Sequence, residues 1–388
     1  MVFANVGLVL PDRVIPRGWL RVENRVIAEF GEDDPRPASA AAFHDGRGGW
    51  LAPGFIDLHV HGAVGRDFMQ ANDEAFTVIL RHHAKGGTTT VAATSVSATW
   101  PEMEAMIEIA RHFRDRPALP RVSGVHLEGP WLSPAKPGAH EMRMFSQPDR
   151  AAVERVVAWR DIVQLVTLAP ELPGSAEAIA ALTAAGIVVS AGHSDAWDED
   201  VAGAMEAGLA RVTHLFNAMS GARRRGAYRV AGLLECALAE PRITAEIIAD
   251  GQHVSPTLLR LAHRAKGTDG LCLVTDATAA CGLPEGAEYR LGGVRCVVRD
   301  GAGFLAGQEV LAGSGARMID CVRNMVQHVG VSLVEAVRMA TMVPARSIGQ
   351  RESAPPIGRL EVGAAADLVW MTPELEVAGT WRGGERIA

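Results

Sequence analysis

Eight short runs of apolar or β-branched residues, separated by alanine-rich stretches, constrain the fold of this chain more than any other feature. They are Phe55–His61, Thr89–Thr94, Arg121–Glu128, Ile162–Ala169, Ile187–Gly192, Arg211–Leu215, Ile243–Ala249 and Leu271–Thr275. Between them, stretches such as Glu102–Arg114, Ala151–Arg160, Ser175–Ala185 and Asp200–Ala207 repeat their apolar residues at helical spacing. Eight strands alternating with helices predict an α/β fold, a (β/α)8 TIM barrel of about 250 residues. An open doubly wound sheet shares the same pattern. At 388 residues the chain leaves room for a smaller module beside such a barrel.

Both ends differ from the middle. Residues 1–50 and the tail from Gly358 contain short alternating runs around turns, among them Leu20-Arg21-Val22 and Ala366-Asp367-Leu368-Val369-Trp370. Neither end has enough apolar residues to bury a core alone, so the two are expected to combine. The predicted division is a small β domain from residues 1–52 plus 350–388, beside a barrel from residues 53–349. Gly31–Ala42, rich in Ala, Pro and Asp, reads as a loop, and Gly315–His328 with Leu333–Ala340 as helices leading from barrel to tail.

Charge and cysteine usage exclude several classes of partner. The net charge of −7 gives no electrostatic support for nucleic acid. The five cysteines are odd in number, scattered and without a CxxC pair, which suits a reducing cytosol better than a disulfide framework. Met1–Gly7 does not begin a signal peptide, and no apolar run approaches the roughly 18 residues of a membrane helix. The expectation is a soluble, cytoplasmic protein.

His59 and His61 lie two apart, so on a strand both rings leave the same face. Alone, a His-x-His pair occurs by chance. Four further candidates change its weight: Glu128 ends the third run, His193 follows the fifth, His214 lies in the last turn of the sixth, and Asp276 follows the eighth. All fall at the C-terminal ends of predicted strands, where barrel enzymes build their sites. Scattered core histidines have no reason to respect that rule. Imidazole and carboxylate without thiolate suit Zn²⁺, Fe²⁺ or Mn²⁺ in an open site. The lysine that bridges two metals on the fourth strand of some barrel hydrolases is missing from Ile162–Ala169, leaving Glu128 as bridging or primary ligand. Spacing does not decide between one ion and two.

Asp276 is the candidate for proton transfer, since a carboxylate beside an activated water can take its proton and return it to a leaving amine. A helix cap is the alternative reading of Thr275-Asp276-Ala277. His82, His83, His112, His263 and His328 fall in helical stretches and read as structural, while His126 shares a strand face with Glu128 and reads as its support. Cys272 and Cys281 flank Asp276 with no base placed beside them, and are not read as nucleophiles.

Several of these segments occur together in one order: Gly54-Phe55-Ile56-Asp57 with His59-Val60-His61-Gly62, His126-Leu127-Glu128-Gly129-Pro130, Ser190-Ala191-Gly192-His193-Ser194, Thr213-His214-Leu215-Phe216-Asn217-Ala218-Met219, Ala249-Asp250-Gly251-Gln252-His253 and Thr275-Asp276-Ala277-Thr278. In that order they resemble the N-acetylglucosamine-6-phosphate deacetylase family of the amidohydrolase superfamily, over nearly the whole chain. The resemblance implies a TIM barrel with a small β-sandwich from both termini, usually in a homodimer. It implies Glu128, His193 and His214 as principal metal ligands, His59 and His61 as a second-metal pair, and Asp276 as acid/base. It further implies Ala139 and His140 at the sugar and acetyl group, with His140 helping to hold the oxyanion, Asn217 and Ala218 at phosphate, and His253 at a sugar hydroxyl.

The departures fall in the substrate pocket. The family loop ending Arg-Glu-Pro-Gly, whose arginine grips phosphate, is replaced by Ser220–Arg229, in which Arg225 stands at the matching distance from Met219. Ala63–Phe68 replaces a glycine-rich segment, and Phe304–Ser314 carries an insertion. Three consecutive arginines suit a phosphate; they equally suit a solvated basic loop, or one pairing with a neighbouring subunit's carboxylates.

The function implied is metal-dependent hydrolysis of the N-acetyl amide of an amino sugar phosphate, first of all N-acetylglucosamine 6-phosphate, with one or two divalent ions (Zn²⁺ or Fe²⁺). The altered arginine loop raises an alternative, a deacylase of another N-acetylated hexosamine phosphate or an unphosphorylated N-acyl substrate. The rival from another class is a metal-binding regulator without catalysis, which would be expected to have lost a ligand or the acid/base. All are present.

Overall fold

The structure, a computed structural model, describes residues 1–33, 43–349 and 355–388. Residues 34–42 of the expected Gly31–Ala42 loop, and the start of the expected terminal segment at 350, lie outside them. Each of the eight runs forms a strand: β1 (Phe55–Val60), β2 (Thr88–Ser95), β3 (Arg121–Glu128), β4 (Val163–Leu168), β5 (Val188–Ala191), β6 (Arg211–Val212), β7 (Thr244–Ile248) and β8 (Leu271–Val274). They pair in parallel in sequence order from β1 to β8. Helices of the expected period lie between them, including Trp100–Phe113, Arg150–Ala158, Ser175–Ala184 and Asp198–Glu206. This is a TIM barrel, nearly closed.

The closing seam is held partly by a side chain. The Asp276 amide donates to His59 O (2.8 Å). Below it, buried Asp57 accepts from the Thr275 hydroxyl (2.6 Å) and from the Thr275 amide (3.2 Å). Burial pushes the Asp57 carboxyl up to about 7 against these bonds. Strand alternation then sorts β1: Asp57 and His59 share one face, while Ile56 and Leu58 pack with Val343 and Ala345 of helix Met342–Ser347.

A second sheet joins the two ends of the chain. Its order is Glu385–Arg386, Val377–Arg382, Leu368–Met371, Trp50–Pro53, Val2–Val9, Val14–Glu23 and Val26–Glu32, with Phe43–Asp45 also on Val2–Val9. The join is antiparallel, with Leu368 opposite Pro53 and Met371 opposite Trp50. Phe3, Leu8, Leu20, Leu51, Leu368 and Trp381 form a core shared by both ends, as neither could by itself. Arg121 of β3 pairs with buried Asp367 (3.0 Å), and Arg382 donates to the carbonyls of Arg116 and Leu119, tying this sheet to the barrel.

Beyond β8 the chain forms four antiparallel strands, Glu288–Leu291, Val294–Arg299, Ala302–Leu305 and Leu311–Ser314. They accommodate the Phe304–Ser314 insertion, with Tyr289, Cys296, Val298 and Ala312 as their core. The expected connecting helices follow as Met318–Asn324, a π-helical turn Met325–Val329, and Leu333–Met339. Among the described residues, no helix is long and apolar enough to cross a membrane.

His83, in helix Asp73–Ala84, is fully buried and donates from Nε2 to Gly62 O (3.1 Å). Burial, with His82 beside it, pushes it down to about 4. The folded value lies below the unfolded one, so its stabilisation is complete above about pH 6.5 and is lost between there and about 4. This is worth about 3 kcal/mol. His83→Gln should remove that component from the dependence of unfolding free energy on pH. Parallel curves for wild type and variant over this window would refute the assignment.

Candidate active site

The barrel brings all six predicted donors to one end. Glu128, closing β3 and 2 % exposed, lies at their centre. Its Oε1 is 3.1 Å from His193 Nε2 and 3.1 Å from His214 Nε2, and those two nitrogens are 3.1 Å apart. Its Oε2 is 3.3 Å from His61 Nε2 and 3.0 Å from His140 Nε2. His59 Nε2 lies 3.2 Å from His61 Nε2, and Asp276 Oδ1 is 3.4 and 3.3 Å from these two nitrogens. The donors thus form two sets that share Glu128. His193, His214 and Asp276 have left-handed backbone, with φ of 48°, 27° and 48°. Such conformations cost of order 1–3 kcal/mol each and concentrate at functional sites.

Hydrogen bonds assign the proton on three of the rings. His193 Nδ1 lies 2.9 Å from the Lys136 carbonyl, and His59 Nδ1 lies 3.1 Å from the Glu246 carboxylate. Both partners accept, so both Nδ1 atoms carry hydrogen and both Nε2 atoms turn a lone pair inward. His140 is the reverse. Its Nδ1 accepts from the Ser97 amide (3.1 Å), so its hydrogen is on Nε2, pointing at Glu128. Lone pairs and carboxylate oxygens converging at about 3 Å suit a divalent cation, and the hydrogen-bonded far nitrogens of His59 and His193 are a common feature of metal-ligating histidines. His59, His61 and Glu128 form one such group. His140 also lies in a group with Glu128 and His193, but its tautomer makes it a donor of hydrogen to the site.

The field of the cluster agrees. Burial alone would lower His59 and His61, but Glu128 and Asp276 outweigh it, holding His59 well above the usual imidazole range and His61 at about 9. Burial would likewise raise Glu128 and Asp276, yet the surrounding imidazoles hold both well below the usual carboxylate range. Protons and a cation compete for the same lone pairs here.

A cavity of about 390 Å³ opens onto this cluster. Ala139, His140, Asn217, Ala218 and His253 all line it. Gly138, at φ 54°, passes so close to His193 that a Cβ there would stand 2.9 Å from its Cε1. His253 Nδ1 is fixed by Asp250 (2.7 Å). Arg225 is not among the lining residues. Arg223–Arg225 and Tyr228–Val230 form a hairpin in which Arg223 pairs with Asp195 and Arg225 with Glu199 (both 2.6 Å), and both guanidiniums lie over Trp197. His126 stands behind the site, between Leu58 O (3.1 Å) and Thr167 Oγ1 (2.8 Å).

Four residues here escaped the sequence reading. Lys136 lines the cavity, and Ser97 sets the His140 tautomer; both lie in loops and carry no periodic signal. Asp57 and Glu246 did leave one: a charged residue inside an otherwise apolar run needs a buried partner. In the cation-loaded protein, ¹⁵N spectra should show hydrogen on Nε2 of His140 and on Nδ1 of His59 and His193. A shared tautomer for all three would contradict this geometry.

Comparison with known proteins places these residues in context. Residues 50–387 match the family model described as the amidohydrolase family. The chain is 38 % identical over 344 residues to N-acetylglucosamine-6-phosphate deacetylase of Bos taurus, covering 87 % of this chain and 83 % of that protein. It is 34 % identical over 339 residues to the protein of the same name from Vibrio furnissii, covering 87 % and 82 %. A solved structure of a mutant N-acetyl-D-glucosamine-6-phosphate deacetylase from Mycobacterium smegmatis, in complex with N-acetyl-D-glucosamine-6-phosphate, is 34 % identical with a TM-score of 0.91, covering 100 % of this chain and 99 % of that one.

Proposed function

This chain belongs to the amidohydrolase family, and on that premise we propose that it hydrolyses the N-acetyl amide of N-acetylglucosamine 6-phosphate to acetate and glucosamine 6-phosphate. The observation that carries the reading is the convergence of His59, His61, Glu128, His193, His214 and Asp276 on a cavity also lined by Ala139, His140, Asn217, Ala218 and His253. The relatives' names supply the substrate.

In this reading His59, His61, Glu128, His193, His214 and Asp276 hold a divalent cation, Zn²⁺ or Fe²⁺, at one or two positions. When bound, it polarises the acetyl carbonyl and lowers the pKa of the attacking water towards about 7. Asp276 takes the water's proton as the water attacks, and gives it to the departing amine nitrogen. His140 donates from Nε2 to the acetyl oxygen as negative charge builds there, and the Ser97 amide on Nδ1 keeps that hydrogen in place. Asn217 and Ala218 take the phosphate, with Lys136 lining the same cavity; Ala139 and His253 orient the sugar, His253 held by Asp250.

We place the enzyme in the cytoplasm, where unpaired Cys236, Cys272, Cys281, Cys296 and Cys321 stay reduced. We also read it as a homodimer, with Arg225 reaching a phosphate only if the hairpin leaves its pairing with Glu199. The domain division at residues 52 and 350 belongs to the same reading. The position of Arg225 favours a second substrate reading, an unphosphorylated N-acetylated sugar or another hexosamine phosphate.

Asp276→Asn should keep bound metal and lose roughly 10²–10⁴-fold in kcat; near-normal turnover would remove Asp276 from this role. Comparing kcat/KM for N-acetylglucosamine with and without the 6-phosphate, and for other N-acetylated hexosamine 6-phosphates, separates the two substrate readings. Highest values for N-acetylglucosamine 6-phosphate support the first; equal values without the phosphate, or higher values for another hexosamine phosphate, support the second.

A further inference from the structure

Behind the histidine cluster lies a second set of buried charges that the proposed reaction does not use. Glu246 of β7 is 0 % exposed, and its Oε2 accepts from His59 Nδ1 at 3.1 Å. Its Oε1 accepts from Nη2 of Arg211, on β6 and also buried, at 2.9 Å. The His126 ring lies edge-on to His59, centroids 4.7 Å apart. A fully buried ion pair stabilises a fold weakly at best, and an apolar pair of similar volume is often as good or better. Stability alone therefore gives no reason for Glu246 and Arg211.

The far nitrogens of the four clustered histidines show what the pair does. His193 Nδ1 faces a neutral carbonyl, and Nδ1 of His61 and of His214 has no hydrogen-bond partner among the described residues. His59, by contrast, has a carboxylate at its back. An anion there fixes the tautomer and makes Nε2 a stronger donor, because positive charge drawn onto the ring is compensated directly. Arg211 holds that carboxylate in place and ionised. We propose that Glu246 is a positioning residue that sets the donor strength of His59, and so the affinity of the ion bound by the His59–His61 pair. The inference rests on the two-ion form of the proposed function, in which those two histidines hold an ion of their own.

The test is metal uptake, measured as equilibrium dialysis against Zn²⁺ with elemental analysis, and as the absorption spectrum after Co²⁺ loading. Glu246→Gln leaves an acceptor for His59 Nδ1 but removes the charge. Since it strands the Arg211 guanidinium, Glu246→Gln with Arg211→Met is measured beside it. Wild type is expected to take up two classes of ion. In both variants one class should weaken by about 10- to 100-fold, the class that His59→Asn also weakens, while the other stays within about threefold. Unchanged affinity for both classes would overturn the proposal, as would equal weakening of both together with a lower Tm. If His59→Asn leaves uptake as in the wild type, His59 is no ligand, and the reading of the His59–His61 pair fails together with this one while the Glu128–His193–His214 set stands.

Discussion

Glu128 is the interaction on which the rest of this structure depends. A carboxylate taken out of water costs several kcal/mol unless opposite charge or hydrogen bonds replace the solvent. Here the replacement comes from His59 on β1, His61 just after it, His193 after β5, His214 after β6 and His140 in a loop. None of these is near Glu128 in the chain except His140. The barrel must therefore bring β1, β3, β5 and β6 into register before this charge is tolerable. Metal affinity and fold are bound to the same few ångströms.

The same economy appears at the seam between β8 and β1. Asp57 ties the two strands through Thr275; two residues beyond Asp57, on the same face, is His59, and directly after Thr275 is Asp276, the ligand and the acid/base of the proposed reaction. A group that closes the barrel thus also fixes the spacing between a donor and the proton carrier. His59 receives a second constraint from Glu246 on β7, the strand that pairs with β8.

Much of this was legible in the sequence, for physical reasons. Strand period and barrel polarity depend on local pattern, so the eight runs and the placing of Glu128, His193, His214 and Asp276 at strand ends follow from reading along the chain. The resemblance supplied the cavity residues Ala139, His140, Asn217, Ala218 and His253, all of which line the cavity. What stayed hidden depends on pairs distant in sequence. The His140 tautomer comes from a backbone amide 43 residues away, and the Glu246–His59 bond spans 187 residues. The arginine run is where reading along the chain left alternatives open: the resemblance offered Arg225 to a phosphate, and its charge equally suited a solvated or carboxylate-paired loop. Strand pairing with Tyr228 lays it over Trp197 and beside Glu199.

The small antiparallel sheet after β8 has a wider implication. Leu291, Glu309, Val310 and Leu311 from this excursion wall one side of the cavity, while the metal donors and Asp276 come from elsewhere. One wall of the cavity is thus written in a stretch of chain apart from the donors, while Ala139, Asn217, Ala218 and His253 stay interleaved with them. Evolution, or a protein engineer, can exchange this wall while leaving the residues at the strand ends intact.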